Sequence, residues 1–355
     1  MFDYKSYVPI LRWKQAERFA LRDLADDVRT RITPLVQLLP ESIAIGKKTP
    51  SISHAFRKVA KEMSECWGMR SLLVDLRHIN TEVRVGTEHP LAYLARQARG
   101  NSVSIVPVIG LHRNAACVQA ASQVAAENRN GVCLRLGRTD IANSDLQEEI
   151  KSLLMQLSIA SNEVDVVLDI GCHDLSYPDF SALPTIIPDI CEWRSLAVGS
   201  GAFPPDLTQW TTPGIYSTPR RDWQAWLGEV ELAENLVRKP SFADYGIYHP
   251  TYQPPPWFPN FSASIRYTDE EKWIIMRGEG VRNEGGAGFA QYPANAELLC
   301  GMPEFRGASF SAGDAYIAAE AGNYAHPGNA STWLQAGFNH HMTMVVRQIA
   351  NLFGT

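Results

Sequence analysis

The charged side chains of this sequence gather at the ends of short apolar runs. Asp75 and Arg77 close the run Ser71–Leu76 (SLLVDL), Arg135 sits inside Val132–Leu136, Asp169 ends Val164–Ile170 (VDVVLDI), and Asp244 opens a run to Tyr248. Lys14, Glu41 and His112 follow three further runs, with Arg113, Arg138 and His173 at comparable places. If those ends converge, Lys14, Arg77 and Arg135 form an anion site, because a guanidinium is planar and offers parallel donors to phosphate or carboxylate. Glu41 and His112 extend the ligand-binding set. Asp75, Asp169 and Asp244 are then the catalytic carboxylates, with Asp75 or Asp169 as general base or metal ligand. A carboxylate beside cations stays ionised, which favours metal binding and makes it a poor acid. A second reading uses the same charges as a plug, with Arg12, Lys14, Arg77 and Arg135 neutralising Asp75, Asp165, Asp169 and Asp244. The sequence leaves both open.

Other chemistry finds less support. His340 and His341 are adjacent, and neighbouring helical residues point about 100° apart, so the pair does not ligate one ion easily. One packed histidine and one at the surface or barrel mouth is the plainer expectation. His112, His173 and His249 each stand alone. Gly46-Lys47-Lys48-Thr49 lacks the glycine a phosphate-binding loop needs five positions earlier, where Glu41 stands. No G-x-S-x-G is present, since Gly199-Ser200-Gly201 is one residue too compact. The six cysteines (Cys66, Cys117, Cys133, Cys172, Cys191, Cys300) form no C-x-x-C pair, so neither a zinc site nor a disulfide framework is indicated. No metal site is assigned, and nothing in the residues names a cofactor. Trp257, Phe258, Phe261, Tyr267 and Trp273 cluster around Arg266, but Asp269, Glu270 and Glu271 interrupt them. Core packing or a protein interface suits them better than base stacking.

The positioning elements follow from alternation. Apolar runs at Tyr7–Trp13, Ile32–Leu39, Ser71–Leu76, Val103–Leu111, Val132–Leu136, Val164–Ile170, Ser195–Gly199 and Asp244–Tyr248 are separated by amphipathic stretches, or in one case by a long loop and a helix. Strands alternating with helices imply crossovers and a parallel sheet. Eight such units over about 250 residues match an eight-stranded parallel β/α barrel of the TIM type. The competing open sheet advertises a glycine-rich first turn, and Arg12-Trp13-Lys14-Gln15 has none. Parity agrees with closure: Leu72, Val74 and Leu76 oppose Leu73, Asp75 and Arg77, and Val164, Val166 and Leu168 oppose Asp165, Val167 and Asp169. One face is apolar throughout, and the other grows polar toward the strand ends. Beyond Pro254-Pro255-Pro256 the pattern changes. SASIRY and KWIIM flank Thr268–Glu271 as a hairpin, and two helical segments follow a loop at Gly285–Gly288. The expected organisation is a barrel over 1–250 and a hairpin-plus-helix extension over 251–355 that packs on it.

The formal net charge of -5 disfavours a general nucleic-acid binder. The start, Met1-Phe2-Asp3-Tyr4-Lys5, lacks a signal-peptide apolar region, and no run suffices for a membrane span, so a cytoplasmic protein is expected.

The strings YVPILRWKQAE, SLLVDLRHI, IVPVIGLHR, VDVVLDIG, ADYGIYHP, SASIRYT, FSAGDAYI and FNHHMT resemble the "beta protein" family of phages and bacterial genomes. The resemblance spans nearly the whole chain. It implies a barrel-like fold and phage or mobile-element neighbourhoods, where antiviral defence and counter-defence genes gather, and it supplies no catalytic residues. The resulting expectation is an interaction protein on a β/α barrel, with a host or phage protein as partner and an anion pocket at the strand ends. The alternatives are a hydrolase-like, metal-assisted enzyme acting on a phosphate-bearing or other anionic substrate, and a non-catalytic sensor of a small anionic molecule.

Overall fold

A computed structural model describes residues 2–173, 177–232, 236–254 and 260–354. Trp257, Phe258, Pro255 and Pro256 lie outside the described residues. The chain divides into two compact units: Met1–Lys14, Ile32–Ser200 and Ala225–Asp244 form the first, and Gln15–Arg31, Gly201–Gln224 and Tyr245–Thr355 the second.

In the first unit, strands β1 (Tyr7–Arg12), β2 (Leu35–Gln37), β3 (Leu72–Asp75), β4 (Ile105–Ile109), β5 (Val132–Gly137), β6 (Val164–Cys172) and β7 (Ser195–Gly201) run in ring order. A last strand, β9 (Ser241–Asp244), joins β7 to β1 and closes the barrel; β8 (Gly214–Pro219) belongs to the other unit. The pairings of β1 with β2 and with the closing strand, of β2 with β3, β3 with β4, β4 with β5, β5 with β6, and of β7 with the closing strand are parallel, with helices such as Ile52–Trp67, Pro90–Gly100, Ala115–Asn128 and Leu146–Leu157 as crossovers. The fold is the eight-stranded β/α barrel that the alternation implies.

The eighth strand is displaced from the expected Asp244–Tyr248. Asp244 ends the strand, because Gly246 adopts φ +62° and turns the chain away. Ser241-Phe242-Ala243 is too short and mixed to stand out as a run.

Parity works as expected. Arg135 on β5 bonds Asp75 on β3, passing over β4, which only side chains pointing into the barrel can do. The register then places Arg12, Gln37 and Asp75 side by side on the interior face of β1, β2 and β3. Four residues below Asp169 on the same face of β6, about 13 Å at strand spacing, Asp165 is gripped by Arg194 through Nε at 2.9 Å and Nη2 at 2.6 Å. The Ser195 hydroxyl also donates to Asp165. The Asp165 partner is therefore Arg194, at the opposite end of the barrel from the strand C-termini.

The second unit holds the expected hairpin, β10 (Ile265–Thr268) against β11 (Lys272–Arg277), extended on its other edge by β8. Sequence reading left β8 inside a long loop, since every second residue of it is exposed and Pro213 and Pro219 bracket it. Tyr267 and Trp273 are fully buried, so of the two roles weighed for the aromatic cluster, core packing is theirs. His340 and His341, on helix Ala330–Phe353, are both fully buried, which corrects the expectation that one would reach the surface or the barrel mouth. His340 Nδ1 meets Asp314 Oδ2 at 2.8 Å and Nε2 meets the Thr268 carbonyl at 2.6 Å. Tyr267 and Ser311 donate to the same Asp314 carboxylate at 2.8 and 2.5 Å, and His341 Nδ1 meets Thr268 Oγ1 at 2.9 Å. Helix Ala312–Glu320 approaches so closely that a Cβ on Gly313 would lie 2.2 Å from the Ala336 carbonyl. FSAGDAYI and FNHHMT thus form one buried polar joint.

Removing one member of a buried ion pair leaves the other uncompensated. Arg194→Ala is expected to lower the unfolding free energy of the protein by about 3–5 kcal/mol, read by chemical denaturation. A loss below about 1 kcal/mol would mean that Asp165 is solvated.

Candidate functional site

The interior side chains at the C-terminal strand ends converge on Arg135, whose side chain is 4% exposed. Its Nη1 donates to Asp75 Oδ2 at 2.8 Å, and its Nε and Nη2 donate to Asp169 Oδ2 at 3.0 and 2.7 Å. Asp75 Oδ1 receives Arg113 Nη2 at 2.9 Å and the backbone N–H of Arg77 at 2.8 Å. Asp169 Oδ1 receives the backbone N–H of Gly171 at 3.0 Å, while Arg77 Nη1 reaches Asp169 Oδ2 at 3.4 Å. Every oxygen of the two carboxylates is thus engaged by N–H donors. A carboxylate in that condition has little lone-pair density left for a metal. Among the described residues no group of three or more His, Cys, Asp and Glu side chains is placed to hold a metal ion.

Beside this cluster lies a cavity of about 360 Å³ over the ends of β3 to β6. Asp75, Arg77, Arg113, Arg135 and Asp169 line it, joined by His112 and Asp140. Arg77 and Arg113 differ from Arg135 in exposure, at 41% and 25% of their side chains. Each holds its carboxylate through a single N–H, so most of either guanidinium fork is available to the cavity. His112 Nε2 stands 3.2 Å from Asp140 Oδ1, and Asp140 Oδ2 accepts the Gly137 N–H at 2.7 Å.

Of the residues singled out from sequence, Asp75, Asp169, Arg77, Arg135 and His112 are brought together here. Asp244 is not: the register pairs it with Pro9 and Ser200, and it accepts a bond from the Tyr7 hydroxyl. Phe242, on the same face of β9, packs on Trp226 of helix Arg221–Leu232, so this face points outward, under the helices. Lys14 is half-buried just past β1 and Glu41 is exposed in the short 3-10 helix Pro40–Ile43; neither lines the cavity.

Sequence reading missed Gln37 and His78 and gave Arg113 no role. His78 Nε2 meets Gln37 Oε1 at 2.8 Å. Burial pushes the His78 ring below the ordinary histidine range; Asp75 pulls it up, and Arg77, Arg135 and Arg12 push it down. The ring is therefore neutral at neutral pH, and its Nε2 carries the proton given to Gln37. Only its place three residues after Asp75 could have flagged it.

A cysteine–histidine pair stands nearby, with Cys117 Sγ 3.5 Å from His89 Nε2. His89 Nδ1 accepts the Leu91 N–H, so the neutral ring bears its proton on Nε2, facing the sulfur. It cannot also take the thiol proton through that nitrogen, and burial pushes the Cys117 thiol up. The pair is not an activated nucleophile.

The family model described as "Beta protein" matches residues 7–347. The chain belongs to the Beta protein family. No curated protein matches it. Among solved structures, this Beta protein family member is similar to a mutant tryptophan synthase alpha-subunit from Pyrococcus furiosus at 12% identity and a TM-score of 0.38, over 69% of this chain and 89% of that one. Triosephosphate isomerase from Bartonella henselae is similar at 10% identity and 0.35, over 68% and 92%. At those scores neither bears on the chemistry of the family member described here. No helix among the described residues is long and apolar enough to cross a membrane.

Two outcomes test the geometry. Arg135→Ala strands two buried carboxylates and should cost about 3–5 kcal/mol, whereas Arg77→Ala, at an exposed contact, should cost less than about 1 kcal/mol; denaturant titration of both variants reads the contrast. In an NMR titration His78 should titrate below 6.5. Arg77→Ala should move that midpoint upward, because removing a nearby cation favours the protonated ring. An unmoved midpoint would separate Arg77 from the Asp75 side of the barrel mouth.

Proposed function

We propose that this barrel binds a small anionic ligand, a phosphomonoester or similar group, in the cavity over β3 to β6. Arg77 and Arg113 are the ligand contacts. Asp75, Arg135 and Asp169 are the frame that holds them and are positioning residues, not catalytic ones. The observation that carries this is the graded exposure of three guanidiniums around two carboxylates: 4% for Arg135 against 41% for Arg77 and 25% for Arg113. A plug alone has no use for the outer two, since Arg135 already bridges both acids. A guanidinium held in place by a carboxylate loses less freedom when it takes up a phosphate. The setting is the one the family resemblance implies, a phage or mobile-element neighbourhood, with a host or phage protein as partner. The buried Tyr267 and Trp273 give that partner no contact surface.

A second reading, an enzyme acting on the same anion, is favoured by His112 beside Asp140 on the cavity wall. An imidazole oriented by a carboxylate is the usual arrangement for moving a proton to or from a bound substrate.

Calorimetric titration with inorganic phosphate at low ionic strength should show binding. The double variant Arg77→Ala/Arg113→Ala should weaken it at least about tenfold, with melting shifted by only a few degrees. Phosphate binding that survives the double variant would sink the proposal. Turnover of a phosphomonoester that disappears in His112→Ala would favour the enzyme over the sensor.

A further inference from the structure

We infer that two copies of this chain pair through the free edge of β8, strand against strand about a two-fold axis. The inference does not depend on the anion reading above.

β8 is an edge of the three-stranded sheet, hydrogen-bonded to β11 on one side. One bond fixes which way its backbone faces. Arg220 N donates to the Glu271 carbonyl at 2.8 Å, in step with the register that sets Pro219 opposite Lys272. In an antiparallel ladder every second opposed pair exchanges such bonds. Thr218, Tyr216 and Gly214 therefore bond to Trp273, Ile275 and Arg277, and Pro213, Ile215, Ser217 and Pro219 turn their backbone groups away from β11. A proline has no N–H, so Ile215 and Ser217 supply the outward donors of this edge. Neither N–H meets an acceptor among the described residues. Ile215 stands opposite Met276 on the same face of the sheet. Met276 belongs to the core that Ile265, Tyr267 and Ile274 share with the helices, while Ile215 lies outside it and is 49% exposed.

The occupant follows from charge and spacing. Proteins keep open edges apart mainly with charged side chains. From Leu207 to Pro219 this chain carries none. A contact about a two-fold axis sets a strand against itself, so any charge would face its own copy; a charge-free strand suits that contact. Pro213 and Pro219 stand equally far from Tyr216 on either side. With Tyr216 opposite Tyr216 and the strands antiparallel, Ile215 of each copy exchanges bonds with Ser217 of the other, and every outward donor is satisfied. Pro213 of one copy then lies opposite Pro219 of the other, and the ladder stops where the donors stop. The two Ile215 side chains lie diagonally across the seam, on the face that the helices leave uncovered. A foreign strand would find the same donors, but only a second copy brings the prolines opposite one another.

Sedimentation velocity at about 50 μM, suited to a contact at the small end of specific interfaces, should show a dimer that dissociates on dilution. Ile215→Lys sets like charges across the seam and should weaken association at least about tenfold, with the fold retained by circular dichroism because the side chain is already half exposed. Ser217→Pro deletes an outward donor that takes no part in the β11 ladder and should weaken association similarly; where it strains the strand, Ile215→Lys decides. Pro219→Val adds an outward donor and should tighten association. Hydrogen exchange at the Ile215 and Ser217 amides should slow as the protein is concentrated. A monomer at that concentration overturns the inference. So does a dimer undiminished by Ile215→Lys, or one whose two amides exchange as fast as in the monomer. Protection of those amides that requires a different protein, with the pure chain monomeric, assigns the edge to a foreign strand and overturns it as well.

Discussion

One guanidinium organises the open end of this barrel. Two carboxylates, on β3 and β6, project into a low-dielectric interior where unpaired they would repel each other and demand protons. Arg135 stands between them with its fork divided, Nη1 toward Asp75 and Nε with Nη2 toward Asp169. That division fixes both acids, and the acids in turn fix Arg113 and Arg77 at the edge of the cavity. Arg135 thus sets, through two carboxylates, where the more exposed guanidiniums of Arg77 and Arg113 stand.

The two ends of the barrel use the same chemistry differently. At the strand N-termini Asp165 is consumed by Arg194 and the Ser195 hydroxyl, and Arg194 Nη1 also holds the Asn130 carbonyl at 2.7 Å. That end is closed. At the C-terminal ends the positive groups outnumber what the two buried acids require, and a cavity opens there. This is the end at which β/α barrels carry their sites, since it is built from the loops that follow each strand.

The barrel was readable because its strands announce themselves twice, by apolar runs and by alternate polar residues on the interior face. Asp75, Arg135 and Asp169 were legible on those grounds. A run that starts at Asp244 puts it with them; with Asp244 as the last strand residue, parity sends it to the outer face beside Tyr7. Lys14 and Glu41 follow strands but lie in segments whose direction no periodicity sets. Gln37 and His78 went unnoticed since an amide and a lone imidazole carry no motif, and what distinguishes them is the bond between them and a neighbouring field. Strand β8 was hidden by its half-exposed, proline-flanked sequence. The polar joint around His340 needs three segments far apart in the chain, which no local pattern discloses.

The bond from Tyr7 to Asp244 joins the first barrel strand to the last, across 237 positions of sequence. Ring closure thus waits on the most distant pairing in the unit, and contacts of that separation slow folding. Until β9 leaves the ribosome, any sheet that the first seven strands form has two bare edges. Such edges invite association with other chains. The seam between β9 and β1 is therefore where a nascent copy of this barrel is most exposed to misassembly, and where a chaperone would have most to protect.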